Sequence, residues 1–99
     1  MAKSKRKTVV VIPAAGPIRI HELDGSLQAA QALVGGYIEP VMSREGLMFV
    51  NEEGRLKGLP VNTTASLLCG QTILGDVYID RPRKALLAEI AAELAGQSE

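Results

Sequence analysis

The chain has 99 residues, enough for one domain, and 46% of them are hydrophobic although aromatic residues make up only 3%. Its core must therefore be built from aliphatic side chains. Eleven basic residues balance eleven acidic ones, so the net charge would not steer the chain to nucleic acid or to an anionic membrane. The single cysteine excludes an intramolecular disulfide and any multi-cysteine metal cluster within one chain.

The N-terminal residues 1–7 are polar and basic, and they predict a disordered leader. The apolar run after them, residues 9–12, is far shorter than a signal peptide's apolar region (about 7–15 residues) or a membrane span (about 20 residues). We therefore expect a soluble cytoplasmic protein with no membrane contact.

The first half of the chain predicts a hairpin and a helix. Residues 8–13 and 18–23 are two short strand patterns separated by a turn. Asp24 is the predicted N-cap of a helix with apolar residues at three- and four-residue spacing, and Gly35 is its predicted end.

The centre predicts more strands. Residues 36–42 form a strand pattern in which Pro40 has no N–H to donate, which indicates a sheet edge or a bulge. Residues 47–50 and 55–59 are predicted to pair around a turn at residues 51–54. Asn62 is then the predicted N-cap of a short helix.

The last part predicts a strand over residues 71–80, where Gly75 indicates a bulge or a close backbone approach. A terminal amphipathic helix comes after it. The whole order predicts an α+β domain with a largely antiparallel sheet of five to six strands and two or three helices on one face. The predicted core domain is 8–80, and residues 81–99 form a C-terminal helix and tail.

Catalytic and metal sites are not predicted. One histidine and one cysteine cannot supply a multi-ligand zinc site within one chain. Nucleophile-elbow and phosphate-loop signatures are missing. We expect His21 to be an ordinary strand residue and Cys69 to be a small buried hydrophobe, and no cofactor is implied.

One group of residues could bind an anion. Arg55 and Lys57 are two apart on a predicted strand, hence on one face, and they lead into a helix start whose free N–H groups attract negative charge. The alternative is a charged solvent face beside an ordinary N-cap. The ligand-binding residues predicted on this basis are Arg55, Lys57, Asn62, Thr63, Thr64 and, as a stacking surface for a base, Tyr37.

Four segments carry a family resemblance: residues 24–27 (DGSL), 34–39 (VGGYIE), 51–62 (NEEGRLKGLPVN) and 75–77 (GDV). In this order they resemble a family of short uncharacterised domains, a domain of unknown function met mainly in bacteriophages and other mobile elements. The resemblance covers roughly residues 8–80. It implies a small accessory protein of a phage-like element, where counter-defence and host takeover are common tasks.

Three functions remain open. The first is a non-enzymatic phage-type protein that sequesters a small anionic ligand, such as a signalling nucleotide, in the host cytoplasm. The second is an interaction module that inhibits or recruits a host protein, and the third is a small hydrolase. We also predict a homo-oligomer, most simply a symmetric dimer, because a Pro-interrupted strand and the apolar stripe of the terminal helix need a cover.

Overall fold

The computed structural model describes residues 6–97, which contain five strands and four helices. The strands are β1 (Arg6–Ile12), β2 (Arg19–Asp24), β3 (Ile38–Ser43), β4 (Gly46–Asn51) and β5 (Val77–Ile79). The helices are α1 (Leu27–Val34), α2 (Gly54–Lys57), α3 (Thr63–Cys69) and α4 (Lys84–Gln97).

All five strands form one antiparallel sheet in the order β2-β1-β5-β4-β3. Two hairpins make up its halves, and the three-residue strand β5 joins them. Ile79 of β5 lies opposite Val10 of β1 on one side and Met48 of β4 on the other. The predicted α+β class and antiparallel sheet are therefore confirmed, and Pro40 lies on the edge strand β3 as expected.

Helices cover both faces of the sheet, so the prediction of helices on one face is wrong. Helix α1 packs on the cluster that contains Val9, Val11 and Tyr78. Helices α3 and α4 pack on the opposite cluster, which contains Val10 and Ile12. The reason lies in β1, whose four consecutive buried residues alternate between the two faces.

The N-cap of α1 is Ser26, and the predicted cap Asp24 has another role. Ser26 Oγ accepts a hydrogen bond from the Ala29 N–H at 3.1 Å. The Asp24 carboxylate instead accepts from the Ser26 N–H at 2.8 Å, and so fixes the turn before the helix. Gly35 ends α1 with φ of 83°, as predicted.

Residues 55–59 do not form a strand, because the chain enters α2 directly after β4. Asn51 Oδ1 accepts from the Glu53 N–H at 2.8 Å, a local turn that replaces the expected hairpin. Gly54 then lies buried, and a Cβ atom there would be 3.2 Å from Leu74 Cβ. The prediction of a turn is correct, but a helix rather than a strand comes after it, and this helix starts where Gly54 packs against Leu74.

The predicted strand over residues 71–80 is reduced to β5. Before it, Val61 and Leu74 make an isolated antiparallel bridge. Gly75 has φ of 83°, and a Cβ atom there would lie 2.7 Å from Leu59 Cδ1. The alternative of a close backbone approach at Gly75 is therefore confirmed.

Both ends of the described chain are packed against the rest of the domain more closely than predicted. Arg6 and Lys7 belong to β1 rather than to a leader, and Lys7 Nζ lies 2.6 Å from Asp80 Oδ1. The rest of the predicted leader, residues 1–5, lies outside the described residues, as do residues 98–99.

Helix α4 is part of the domain core and not an appendage. Its half-buried Leu86, Leu87 and Ile90 pack on the same cluster as α3, and Arg83 Nε donates to Glu45 Oε1 at 3.0 Å. The domain's own core cluster thus covers the first part of the helix stripe that was expected to need a second copy, whereas Leu94 stays 42% exposed. No helix within residues 6–97 is long and apolar enough to cross a membrane.

Candidate functional site

The two cations of the predicted anion site lie on helix α2 and diverge. Residues two apart on a helix are separated by about 200° around its axis, whereas on a strand they would share a face. Arg55 is exposed and lines a groove beside β3. Lys57 extends instead to the end of α1, where its Nζ donates to the Gly35 carbonyl at 3.1 Å.

Lys57 and Asn51 together satisfy the C-terminal end of α1. Asn51 is 5% exposed, and its Nδ2 donates to the Val34 carbonyl at 3.1 Å. The positive charge of Lys57 also lies where the helix dipole is negative. Both side chains therefore have structural tasks, which the sequence pattern did not reveal.

Asn62 caps α3 as predicted, but its side chain is buried at 1% exposure. Its Oδ1 accepts from the Ala65 N–H at 3.0 Å, and its Nδ2 donates to the carbonyls of Ile12 and Gly75, each at 2.9 Å. All of its amide groups are thus used within the fold, and Asn62 has no group left for an external ligand.

The other predicted ligand residues are exposed and belong to two different segments. Thr63 and Thr64 form the first turn of α3. Tyr37 is 62% exposed and precedes β3, and its carbonyl accepts from the Glu52 N–H at 2.9 Å. Arg55 thus lies in a groove beside β3, Lys57 Nζ lies beside Gly36, which precedes Tyr37, and the other three predicted residues lie at the start of α3. The strand geometry on which the anion site depended is wrong.

A groove of about 490 Å³, which we name the β3 groove, lies between β3, α2 and residues 71–74. Val41, Val50 and Ile73 contribute apolar surface. Glu39, Glu52 and Glu53 also line the groove, and Arg55 is the only basic residue of the lining. The Glu53 carboxylate is directed toward Lys57, whose Nζ lies 3.8 Å from its Oε1.

The sequence pattern did not indicate the three glutamates that line this groove. In the sequence, the pair after β4 is typical of the solvated tip of a hairpin, and Glu39 belongs to no motif. Two signals were available: Pro40 marks the sheet edge, and Glu39 adjoins it. The groove itself depends on α2, which the strand prediction had removed.

The histidine and the cysteine contribute no recognisable chemistry. His21 is half-buried on β2, as expected for an ordinary strand residue. Cys69 is half-buried, its Sγ lies 3.5 Å from Met48 Sδ, and burial raises the pKa of its thiol. Across the described residues, no three His, Cys, Asp or Glu side chains come together as a potential metal site.

Comparison with known proteins places the chain in a family. The model of the family described as Domain of unknown function (DUF3846) matches residues 6–85, which include the whole sheet and the first three helices. No curated protein and no solved structure gives a match. The resemblance to an uncharacterised-domain family is confirmed at this level. With more than half of its length matched, the chain belongs to the DUF3846 family of domains of unknown function.

Proposed function

We propose that this domain is a non-enzymatic binding protein whose partner is another protein, held at the β3 groove. The supporting observation is a contrast between two sets of residues. The predicted anion-binding residues are dispersed, whereas the β3 groove gathers apolar and acidic side chains beside an open sheet edge.

Two large apolar side chains at this groove favour a protein partner. Leu56 of α2 is 86% exposed and Met42 of β3 is 69% exposed, and both line the groove. Exposed apolar side chains beside a cavity are typical of interaction surfaces, where a few buried anchors carry most of the binding free energy.

A small anionic ligand, the competing hypothesis, fits this groove less well. The carboxylates of Glu39 and Glu52 would repel a phosphate, and Arg55 supplies the only positive side chain of the lining. Lys57, the second cation of the predicted site, is engaged at the end of α1. A nucleotide would need both charges on one side of the domain.

The proposal also carries a biological setting. An accessory protein of a phage or mobile element, present in the host cytoplasm, would act by blocking or recruiting a host protein.

Self-association stays a separate prediction: α4 no longer requires a second copy, although Leu94 is 42% exposed. Light scattering at high protein concentration distinguishes a monomer from the predicted dimer.

The test compares two variants of the full chain in affinity capture from host lysate, followed by calorimetry with the purified captured protein. Met42→Ser/Leu56→Ser removes both anchors of the groove. Leu67→Ser is the matched control, because Leu67 is 71% exposed on α3 but does not line the groove. We expect the double variant to bind about tenfold or more weakly and the control to bind like wild type.

Two outcomes would contradict the proposal. The first is equal binding of the captured protein by all three chains. The second is a rise in unfolding temperature with nucleotides or inorganic phosphate when no protein is captured, since a ligand that binds only the folded state stabilises it. The second outcome would restore the anionic-ligand hypothesis.

A further inference from the structure

We propose that the β3 groove binds an extended segment that inserts a lysine or arginine side chain between the groove's glutamates, with apolar residues on either side of it. This inference rests on the proposed function and names the chemistry of the partner. It depends on two independent observations, the hydrogen-bonding groups of the β3 edge and the charges of the groove.

The first observation concerns the β3 edge. The Glu52 N–H donates to the Tyr37 carbonyl at 2.9 Å, in register with the β3–β4 pairing. Hydrogen-bonded and non-bonded pairs alternate in an antiparallel ladder, so the backbone groups of Ile38, Pro40 and Met42 face away from β4. On the other side of β4, the Leu47 carbonyl accepts from the Asp80 N–H, which agrees with this alternation.

Pro40 makes this edge rich in acceptors. Three carbonyls point outward but only two N–H groups do, since proline has none. A regular added strand would lose a hydrogen bond at the centre of the edge, which is how natural sheets discourage strand pairing. A side chain with several N–H donors and no acceptor fits the same edge better, and Arg and Lys have this property.

The second observation is the charge of the groove lining. Glu39 belongs to β3, and Glu52 follows β4; both line the groove. Glu53 does not contribute here, because its Oε1 lies 3.8 Å from Lys57 Nζ, which reaches the end of α1 outside the groove. A cation entering the groove could bind the carboxylates of Glu39 and Glu52 through charge-assisted hydrogen bonds.

The apolar surface of the β3 groove indicates which residues should flank the inserted cation in the bound segment. Val41, Val50 and Ile73 lie within the groove, and Leu56 stands exposed at α2. An apolar residue beside the inserted cation would cover these side chains and remove water from the ion pair. Exclusion of water strengthens such a pair, because the effective dielectric constant falls.

The experiment is a titration of the 15N-labelled full chain with short peptides, followed by amide chemical shifts. The probe is acetyl-Ala-Leu-Arg-Leu-Ala-amide, and the matched control replaces Arg by citrulline, which has the same shape but no charge. We expect saturable shifts at Val41, Arg55 and Ile73, and about tenfold weaker binding of the citrulline peptide. Added salt should weaken the arginine peptide selectively.

A chain variant completes the test. Glu39→Gln/Glu52→Gln keeps the groove's shape and removes two charges, and we expect it to bind the arginine peptide about fivefold more weakly with unchanged circular dichroism. Equal binding of both peptides, shifts confined to residues outside the groove, or no saturation at about 10 mM peptide would overturn the inference.

Its failure is distinguishable from failure of the proposed function. If a captured host protein loses affinity for Met42→Ser/Leu56→Ser but the arginine peptide does not bind, the function stands and the cation inference falls. If the peptide saturates the groove and the captured protein is indifferent to that double variant, the inference stands and the proposed function falls.

Discussion

Asn62 Nδ2 lies 2.9 Å from the carbonyl oxygen of Ile12, a residue 50 positions earlier in the chain. The same amide reaches Gly75, and its oxygen caps α3. One buried side chain therefore connects the end of β1, the segment before β5 and the start of a helix.

Replacing this side chain should destabilise the fold strongly. Asn62→Ala leaves two buried carbonyls and one N–H without partners, and we expect the free energy of unfolding to fall by about 2–4 kcal/mol. Asn62→Asp keeps the cap acceptor but sets a carboxylate oxygen against the two carbonyls in a buried position, so its loss should be at least as large. Urea denaturation followed by circular dichroism measures each, with the exposed Thr63→Ala as control. Equal stability of Asn62→Ala and Thr63→Ala would contradict this assignment.

Arg55 and Lys57 should respond differently to the same substitution. Lys57→Met removes the cation at the end of α1, and we expect it to lower the free energy of unfolding by about 0.5–1 kcal/mol. Arg55→Met should change it by less than about 0.5 kcal/mol, since Arg55 is an exposed groove residue. Thermal unfolding at low and high salt measures both. The Lys57 effect should shrink with salt, and similar effects of the two variants would argue for equivalent roles.

Tyr78 should make stability fall at high pH. Its burial, aided by the charge of Asp80, raises its pKa from 10.0 to about 12. The folded chain therefore holds the phenol proton more tightly than the unfolded chain does. This contribution is fully present below about pH 10 and is lost as pH rises toward about 12, by about 3 kcal/mol in total.

The measurement is urea denaturation at a series of pH values for wild type and Tyr78→Phe. The variant keeps the ring that lies 5.4 Å from Phe49 between centroids, but it has no proton to lose. The difference in stability between the two proteins should therefore narrow between about pH 10 and pH 12. A difference that does not depend on pH would show that the hydroxyl titrates alike in both states.

Helix α4 should be needed for folding, and two of its three leucine positions should differ. Leu87 packs on the core cluster, whereas Leu94 is 42% exposed. We expect Leu87→Asp to cost about 3 kcal/mol or more, and Leu94→Asp less than about 1 kcal/mol. Deleting residues 82–99 should uncover the cluster and cause aggregation, as light scattering would show. A soluble truncated chain of unchanged stability would contradict the packing of α4.

Local signals in the sequence predicted local structure well. Gly35 ends a helix, Asn62 begins one and Pro40 lies on an edge strand, because each effect depends on the residue's own backbone and nearest neighbours. The antiparallel sheet could be predicted from the short connections between strand patterns.

Structure that depends on contacts between residues far apart in the sequence could not be predicted from local signals. Residues 55–57 are helical instead of extended, and Gly54 at the start of this helix packs against Leu74, 20 residues along the chain. That change separated Arg55 from Lys57 and brought Glu52 and Glu53 to the groove that Glu39 also lines. The candidate site was therefore missed for the same reason that the strand was wrongly predicted.

The central position of β5 has a consequence for the order in which the fold is completed. β5 is the last strand to be synthesised, yet both hairpins pair with it. Each hairpin can form while the chain is still growing, but the two have no common partner until residues 77–79 have left the ribosome. A product released before that point would carry two separate ribbons with four open edges, and open edges in incomplete chains promote strand-to-strand aggregation.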